Sequence, residues 1–161
     1  MTIEKQKLRQ CFGSFMTGVT VVTAMDENGN PIGFTANSFT SVSLDPPLLL
    51  ICVDNSSDHI ETYRNGSGFM VNILAEDQKD LSNRFASPIE DRFDGIDWQE
   101  SDNGNPMIGG TAAFFDCSTE KTIDGGDHQI IIGRVHDCAT NGKAGLGYHR
   151  GQYFTLTGQN N

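Results

Sequence analysis

Between Gly33 and Val53 the chain reads GFTANSFTSVSLDPPLLLICV. Thr35, Asn37, Ser38, Thr40, Ser41 and Ser43 are interleaved there with Ala36, Phe39, Val42 and Leu44. Small hydrogen-bonding groups close to the backbone, with apolar side chains between them, suit a flat heteroaromatic ligand, which needs donors and acceptors at its edge and an apolar wall at its face. Pro46 and Pro47 have fixed φ, and Pro46 pushes Asp45 toward extended geometry, so the turn into the next apolar run, Leu48 to Val53, is stiff. The same composition also fits a Ser/Thr-rich surface turn between two strands. A second candidate follows at once in Asp54-Asn55-Ser56-Ser57-Asp58. Ser57 or Asp58 is expected to cap a helix running to about Tyr63, and amides at a helix start beside serine hydroxyls suit a phosphate. Ordinary capping explains the same residues without a ligand.

Other chemistries lack their patterns. His59, His128, His136 and His149 show no HxxxH or HExxH spacing, so no metal site is expected. There is no GxSxG elbow, no GxxxxGK[ST] phosphate loop and no GxGxxG fingerprint, so any nucleotide binds without a Rossmann unit.

The elements that must position these residues are mostly strands. Leu8, Cys11, Phe12 and Phe15 share one face of an amphipathic helix expected over 4–16, with Thr2 as its cap and Gly18 ending it. Val19 to Ala24 is strongly β-forming, and Asp26 to Asn30 is a hairpin turn around Asn28-Gly29. After strand Leu48 to Val53, Gly68 to Leu74 is another strand and Glu76 to Phe85 a helix, broken by Ser87-Pro88. Residues 88–108 are expected to be irregular, with Trp98 as a packing anchor. Thr111 to Thr122 and Asp127 to Cys138 form a hairpin through Ile123-Asp124-Gly125-Gly126. A Gly-rich loop at 141–147 leads to a last strand, Tyr153 to Thr157. With no repeat and no linker, the 161 residues are expected to make one domain, 1–161, and six or seven strands suggest a mainly β fold, a β-barrel.

The totals agree. Eighteen glycines suit many tight turns, and 37% hydrophobic residues suit a soluble domain. A net charge of −10 weighs against nucleic acid, whose phosphates need clustered Lys and Arg. No apolar run approaches the roughly 20 residues of a membrane span. Met1 to Gln10 is too polar for a signal peptide, and Cys11, Cys52, Cys117 and Cys138 form no close pair, so a reducing cytoplasm is expected.

Taken in order, Gly18-Val19-Thr20-Val21-Val22-Thr23, Gly33 to Phe39, Ser41 to Pro47, Asn83-Arg84-Phe85-Ala86, Gly126-Asp127-His128, Gly133-Arg134-Val135 and Tyr148 to Tyr153 resemble the flavin reductase-like family, the small reductase components of two-component flavin monooxygenases. The resemblance covers roughly residues 8–157. It implies a split β-barrel of Greek-key type, a homodimer, and FMN or FAD bound near the subunit interface. By position, Thr35, Ala36, Asn37, Ser38, Ser41, Val42 and Ser43 would hold the flavin ring and ribityl chain. Residues 52–57, with Cys52, Val53 and Asp54 at their head, would line the adjoining wall, Ser56 and Ser57 lying near the phosphate. Asn83, Arg84 and Phe85 would complete the site, Arg84 as a phosphate partner. His128 would approach the nicotinamide of NADH, with Tyr148, Arg150 and Tyr153 shaping that side; Asp127 is expected to be structural, orienting the imidazole or the turn.

The implied reaction carries hydride from NADH, or NADPH, to flavin, which the cofactors perform once stacked and provided with donors where charge develops. Only Arg150 and Lys143 stand near the proposed site as cations for a 2′-phosphate, which favours NADH. The leading expectation is a reductase that releases reduced flavin to a partner monooxygenase. Two alternatives stay open: a flavin-retaining electron carrier or ferric reductase of the same fold, and a non-catalytic flavin-binding barrel.

Overall fold

Thr20 to Met25 lies at the centre of the structure because almost every side chain of that run is small or β-branched and apolar, the pattern of a strand buried on both faces. The computed structural model describes residues 3–156. Its elements are α1 (Lys5–Gly13), β1 (Thr17–Gly18), β2 (Thr20–Met25), β3 (Pro31–Ala36), β4 (Thr40–Leu44), β5 (Pro47–Asp54), α2 (Ile60–Asn65), β6 (Gly68–Ile73), α3 (Lys79–Ala86), β7 (Trp98–Glu100), β8 (Pro106–Ile108), β9 (Ala113–Gly125), β10 (His128–Thr140), β11 (Gly147–His149) and β12 (Gln152–Phe154). The fold is mainly β, as expected. Seven strands form an antiparallel sheet in the order β3-β2-β6-β9-β10-β5-β4. No strand pairing joins its two edges, β3 and β4, among the described residues, so the sheet is open. Sheets β1-β11-β12 and β7-β8 flank it.

Strand β2 separates two apolar clusters. Val22 and Ala24 point into one with Ile32, Ile51, Val53, Phe69, Val71 and Ile131. Val19, just before β2, and Val21 within it join the other, with Leu74, Phe85, Phe93, Ile108 and Leu146. Trp98 packs on this second cluster, edge-to-face on Phe93 with 5.6 Å between ring centroids.

Several expected boundaries move. Helix α1 stops at Gly13 rather than running to 16, where the Ser14 and Phe15 amides turn back to the Cys11 and Phe12 carbonyls. Gly18 ends no helix; it pairs with Gly147 in β1. Leu8, Phe12 and Phe15 stay exposed. The cap proposed at Thr2 and the strand end at Thr157 lie outside the described residues. Helix α2 starts at Ile60, so neither Ser57 nor Asp58 caps it. The Asp54 carboxylate takes the Ser56 amide and hydroxyl (2.8 and 2.7 Å), and the Ser57 amide bonds the Asp54 carbonyl, so the chain completes a turn first. The 88–108 excursion contains the β7–β8 hairpin, whose three-residue strands are too short to show periodicity. The long hairpin turns on two residues, Gly126-Asp127, with Gly126 at φ +77°, so its strands run longer than expected. Among the described residues, no helix is long and apolar enough to cross a membrane.

Gly133, at a register shift in β10, is a point where the core admits no side chain. A Cβ there would stand 2.6 Å from Phe69 Cζ and 3.1 Å from Cys117 Cβ, both residues fully buried. Gly133→Ala is expected to cost about 1–3 kcal/mol by overpacking, lowering Tm by roughly 3–10 °C. An unchanged Tm in a calorimetric melt would show that the site yields freely.

Candidate functional site

The polar stretch leaves β3 and turns through β4, the exposed sheet edge. Its first residues are tied down. Thr35 Oγ1 donates to the Ser82 carbonyl of α3 at 2.6 Å. Ser38 Oγ donates to the Cys52 carbonyl and accepts from the Cys52 amide, both at 3.1 Å, which clamps the turn to β5. Ala36 is buried. Asn37, Ser41 and Ser43 make no side-chain hydrogen bond among the described residues, and Val42 is exposed beside them. Three donors without an internal partner, next to apolar surface, form the donor set that an aromatic ring with polar edges requires.

A groove of about 1230 Å³ opens between this segment, the loop after β5 and the chain following α3. Thr35, Val53, Asp54, Ser56, Ser57 and Phe85 line it, so six of the expected site residues come together here. In β5, Cys52 and Asp54 lie opposite Ile130 and His128, while the intervening Val53 is buried in the core. Asp54 is held below the usual carboxylate range by the Ser56 amide first, then by the Ser56 hydroxyl, with His128 adding attraction. Burial raises the Cys52 thiol above its ordinary value.

His128 is not in this groove. It stands at the tip of the β9–β10 hairpin, half-buried, with Nδ1 2.7 Å from Asp127 Oδ1. The Asp127 carboxyl is pulled down, chiefly by this bond. An ionised carboxylate only accepts, so the proton sits on Nδ1. Nε2 then offers a lone pair when the ring is neutral and an N–H when it is protonated. Of the two structural roles expected of Asp127, its carboxylate makes the bond to the imidazole.

Asn37, Tyr148 and Arg150 meet in a second hollow of about 860 Å³ beneath α1. Arg150 has φ +49°, followed by Gly151 at +81°, and its amide donates to the Gly13 carbonyl, so the β11–β12 turn is anchored on the end of α1. Its Nη2 lies 3.3 Å from Ser14 Oγ. Tyr148 and Tyr153 pack edge-to-face at 5.3 Å. The Tyr153 hydroxyl reaches Asn83 Oδ1 and Ser82 Oγ, each at 2.9 Å, and Lys79 Nζ lies 5.6 Å from the ring centroid.

Arg84 is engaged elsewhere. Nε donates to the Arg92 carbonyl at 2.8 Å, and Nη2 to the carbonyls of Asp94 (2.7 Å) and Asp91 (3.3 Å). Lys143, considered as a cation near the nicotinamide side, bonds the Gly110 carbonyl and Asp77. Sequence reasoning missed Ser82, Lys79 and Arg92, the last of which lines the groove and donates to the Gly33 carbonyl at 2.9 Å. Their partners are remote in sequence, so no local pattern marks them.

With this geometry in hand, relatedness is clear. Residues 12–157 match the flavin reductase like domain, and the chain belongs to that family. It is 54% identical over 150 residues to the reductase component of the flavin-dependent trigonelline monooxygenase of Acinetobacter baylyi, covering 93% of this chain and 48% of that protein. It is 45% identical over 130 residues to the FMN reductase (NADH) SmoA of Agrobacterium fabrum, covering 81% of this chain and 74% of that one. Among solved structures, the NADH:FAD oxidoreductase SgcE6 of Streptomyces globisporus, in complex with NAD and FAD fragments, superposes with a TM-score of 0.92 at 34% identity, covering 100% of this chain and 99% of that one. The chain spans about half the length of the first curated relatives it matches.

The Arg84 contacts carry a prediction. Arg84→Ala leaves three carbonyls without their guanidinium donor, and the 88–95 segment should be cleaved faster by a non-specific protease because it opens more readily. Limited proteolysis with mass-spectrometric mapping reads this; unchanged cleavage would show that the carbonyl contacts do not hold the segment.

Proposed function

We propose that this chain is an NAD(P)H:flavin oxidoreductase that takes hydride from NADH, delivers it to FMN or FAD, and supplies reduced flavin to a partner flavin-dependent monooxygenase. The observation that carries this reading is the superposition along the whole chain on an NADH:FAD oxidoreductase in complex with NAD and FAD fragments. The unpartnered donors of Asn37, Ser41 and Ser43 and the serine-bearing wall of the groove support it.

A bound flavin and a reduced nicotinamide supply the redox chemistry themselves. The chain's part is to bind and orient. Ser38 stiffens the turn that presents Asn37, Ser41 and Ser43. Ser56 and Ser57 offer hydroxyls to a phosphate, and Phe85 gives the groove an apolar wall. Arg84 would steady the 91–94 segment while its free Nη1 remains available to an anion. His128, with Nδ1 occupied by Asp127, directs Nε2 outward as the group that meets a nicotinamide, and Tyr148, Arg150 and Tyr153 border that side.

A split barrel and a homodimer belong to the same reading. Ile32 of β3 and Ile51 of β5, from opposite halves of the seven-stranded sheet, share one core cluster. A flat sheet keeps such strands apart, so this sharing favours a sheet coiled into a barrel. The candidate residues are divided between the groove, the β4 edge and the hairpin tip, and Val42, Leu44, Phe12 and Phe15 are exposed apolar side chains. A second copy covering them would complete the site.

The test is NADH oxidation by the purified protein with and without FMN, FAD or riboflavin. Turnover that requires added flavin and saturates with it is expected. His128→Ala should lower kcat/KM for NADH by about 10²-fold, the range of a positioned acid–base group. A yellow protein bleached by NADH in one turnover and indifferent to added flavin would favour a flavin-retaining carrier instead. A colourless protein that oxidises no NADH with any of the three flavins would sink the enzymatic reading.

A further inference from the structure

We infer that Asn55 is a positioning residue that couples the loop bearing Ser56 and Ser57 to the hairpin tip bearing His128, so that a ligand seated on the loop orders the imidazole. The inference rests on the flavin reductase reading above, in which the loop meets the flavin and His128 meets the nicotinamide.

Among the described residues, every hydrogen bond that Asn55 makes runs to the hairpin and none to its own loop. Its amide donates to the Asp127 carbonyl at 3.0 Å. Its Nδ2 donates to the Gly126 carbonyl at 3.2 Å. Its Oδ1 accepts from Gln129 Nε2 at 3.3 Å, and the same nitrogen donates to Asp124 Oδ1 at 2.7 Å. The two carbonyls of the two-residue turn are therefore both taken by Asn55, while Gln129, 4% exposed, braces the side chain from beneath. Asp127 is the residue that holds His128 Nδ1.

The two ends of this connection are short. On the loop, Asp54 binds the Ser56 amide and hydroxyl, and Asp54 lies directly opposite His128 in the strand register. A displacement of Ser56 or Ser57 by a bound anion is passed through one residue, Asn55, to the peptide that carries Asp127. Without the carboxamide, the Gly126 carbonyl has only water, and a tip with Gly126 at φ +77° is free to rock. Among the described residues no hydrogen bond joins Asn55 to the imidazole, so it acts through Asp127 and His128.

Hydrogen–deuterium exchange on the full chain, with FMN as the probe, tests this. In the parent, FMN should slow exchange both at 55–57 and at 125–128. In Asn55→Ala, FMN should still bind, followed by quenching of its fluorescence, and protect 55–57, but the protection at 125–128 should be lost. In steady-state assays the variant should raise KM for NADH or lower kcat by about tenfold with little change in KM for FMN. In a His128→Ala background the substitution should add almost nothing, because the two act in series. Asn55→Asp keeps the size and the acceptor but loses the Nδ2 donor, and should repeat the result if the alanine variant folds poorly. Tip protection retained in both variants, or an effect that adds fully to His128→Ala, would overturn the inference and leave the reductase reading intact. A parent that neither quenches FMN nor shows protection anywhere would overturn that reading and this inference with it.

Discussion

Burying β2 on both faces obliges the chain to pair every polar group that goes in with it. Thr20 donates to the Ala36 carbonyl at 2.8 Å, and Thr23 to the Pro106 carbonyl. Asn72, fully buried on β6, donates to the Val21 carbonyl and to Thr23 Oγ1 and accepts from the Ile108 amide. An unpaired group in this place would cost about 1–3 kcal/mol, so these bonds decide where neighbouring pieces can sit. The β7–β8 hairpin is fixed over β2 by Thr23 and Asn72. The exit of β3 is fixed at Ala36, one residue before the polar stretch turns away. Phe85 then closes on Gly33, where a Cβ would stand 2.9 Å from its ring, and this close approach orients α3 and with it Ser82, Asn83 and Arg84.

Much of this frame was legible because its signals are local. The run Val19 to Ala24, the Asn28-Gly29 turn and the long hairpin each carry their propensity within a few residues. What was not legible depends on partners far away. The β7–β8 strands are held because Thr23 and Asn72 receive Pro106 and Ile108, while Asn105 of their connecting turn bonds the buried Asp116 carboxylate through Nδ2 at 2.7 Å. The start of α2 depends on the turn that Asp54 closes: its carboxylate takes the Ser56 amide and its carbonyl the Ser57 amide, and the helix begins only after that turn, at Ile60. Whether a sheet stays open or coils is a matter of twist and packing, and periodicity says nothing of it.

The candidate site divides in the same way. Residue types and order pointed to Thr35 through Ser43 and to Ser56 and Ser57, and the structure gathers Thr35, Ser56, Ser57 and Phe85 around one groove. The roles of individual side chains were harder to read. An arginine after Asn83 suggests a phosphate partner by its charge, yet its Nε and Nη2 serve three carbonyls. A serine at 82 suggests nothing, yet it joins Thr35 to Tyr153 through its carbonyl and its hydroxyl. In both cases a contact across the fold, rather than the residue's own chemistry, decides the role.

Charge around the groove bears on whether a flavin would stay or leave. Asp26, Asp54, Asp58, Glu90, Asp91 and Asp94 line it, against one arginine, Arg92, whose Nε and Nη1 are already bonded to the Ser87 and Gly33 carbonyls. In the proposed reading, a phosphate seated by Ser56 and Ser57 would meet neutral hydroxyls there in a field that repels it. At about 10 Å in water each carboxylate opposes a unit of negative charge by about 0.4 kcal/mol before screening, and physiological salt, with a Debye length of about 8 Å, removes much of that. Against several such charges, hydrogen bonds, ring contact and whatever Arg84 Nη1 offers an anion would have to supply the attraction. That balance suits a flavin that arrives, is reduced and departs, and it runs against one kept as a permanent prosthetic group.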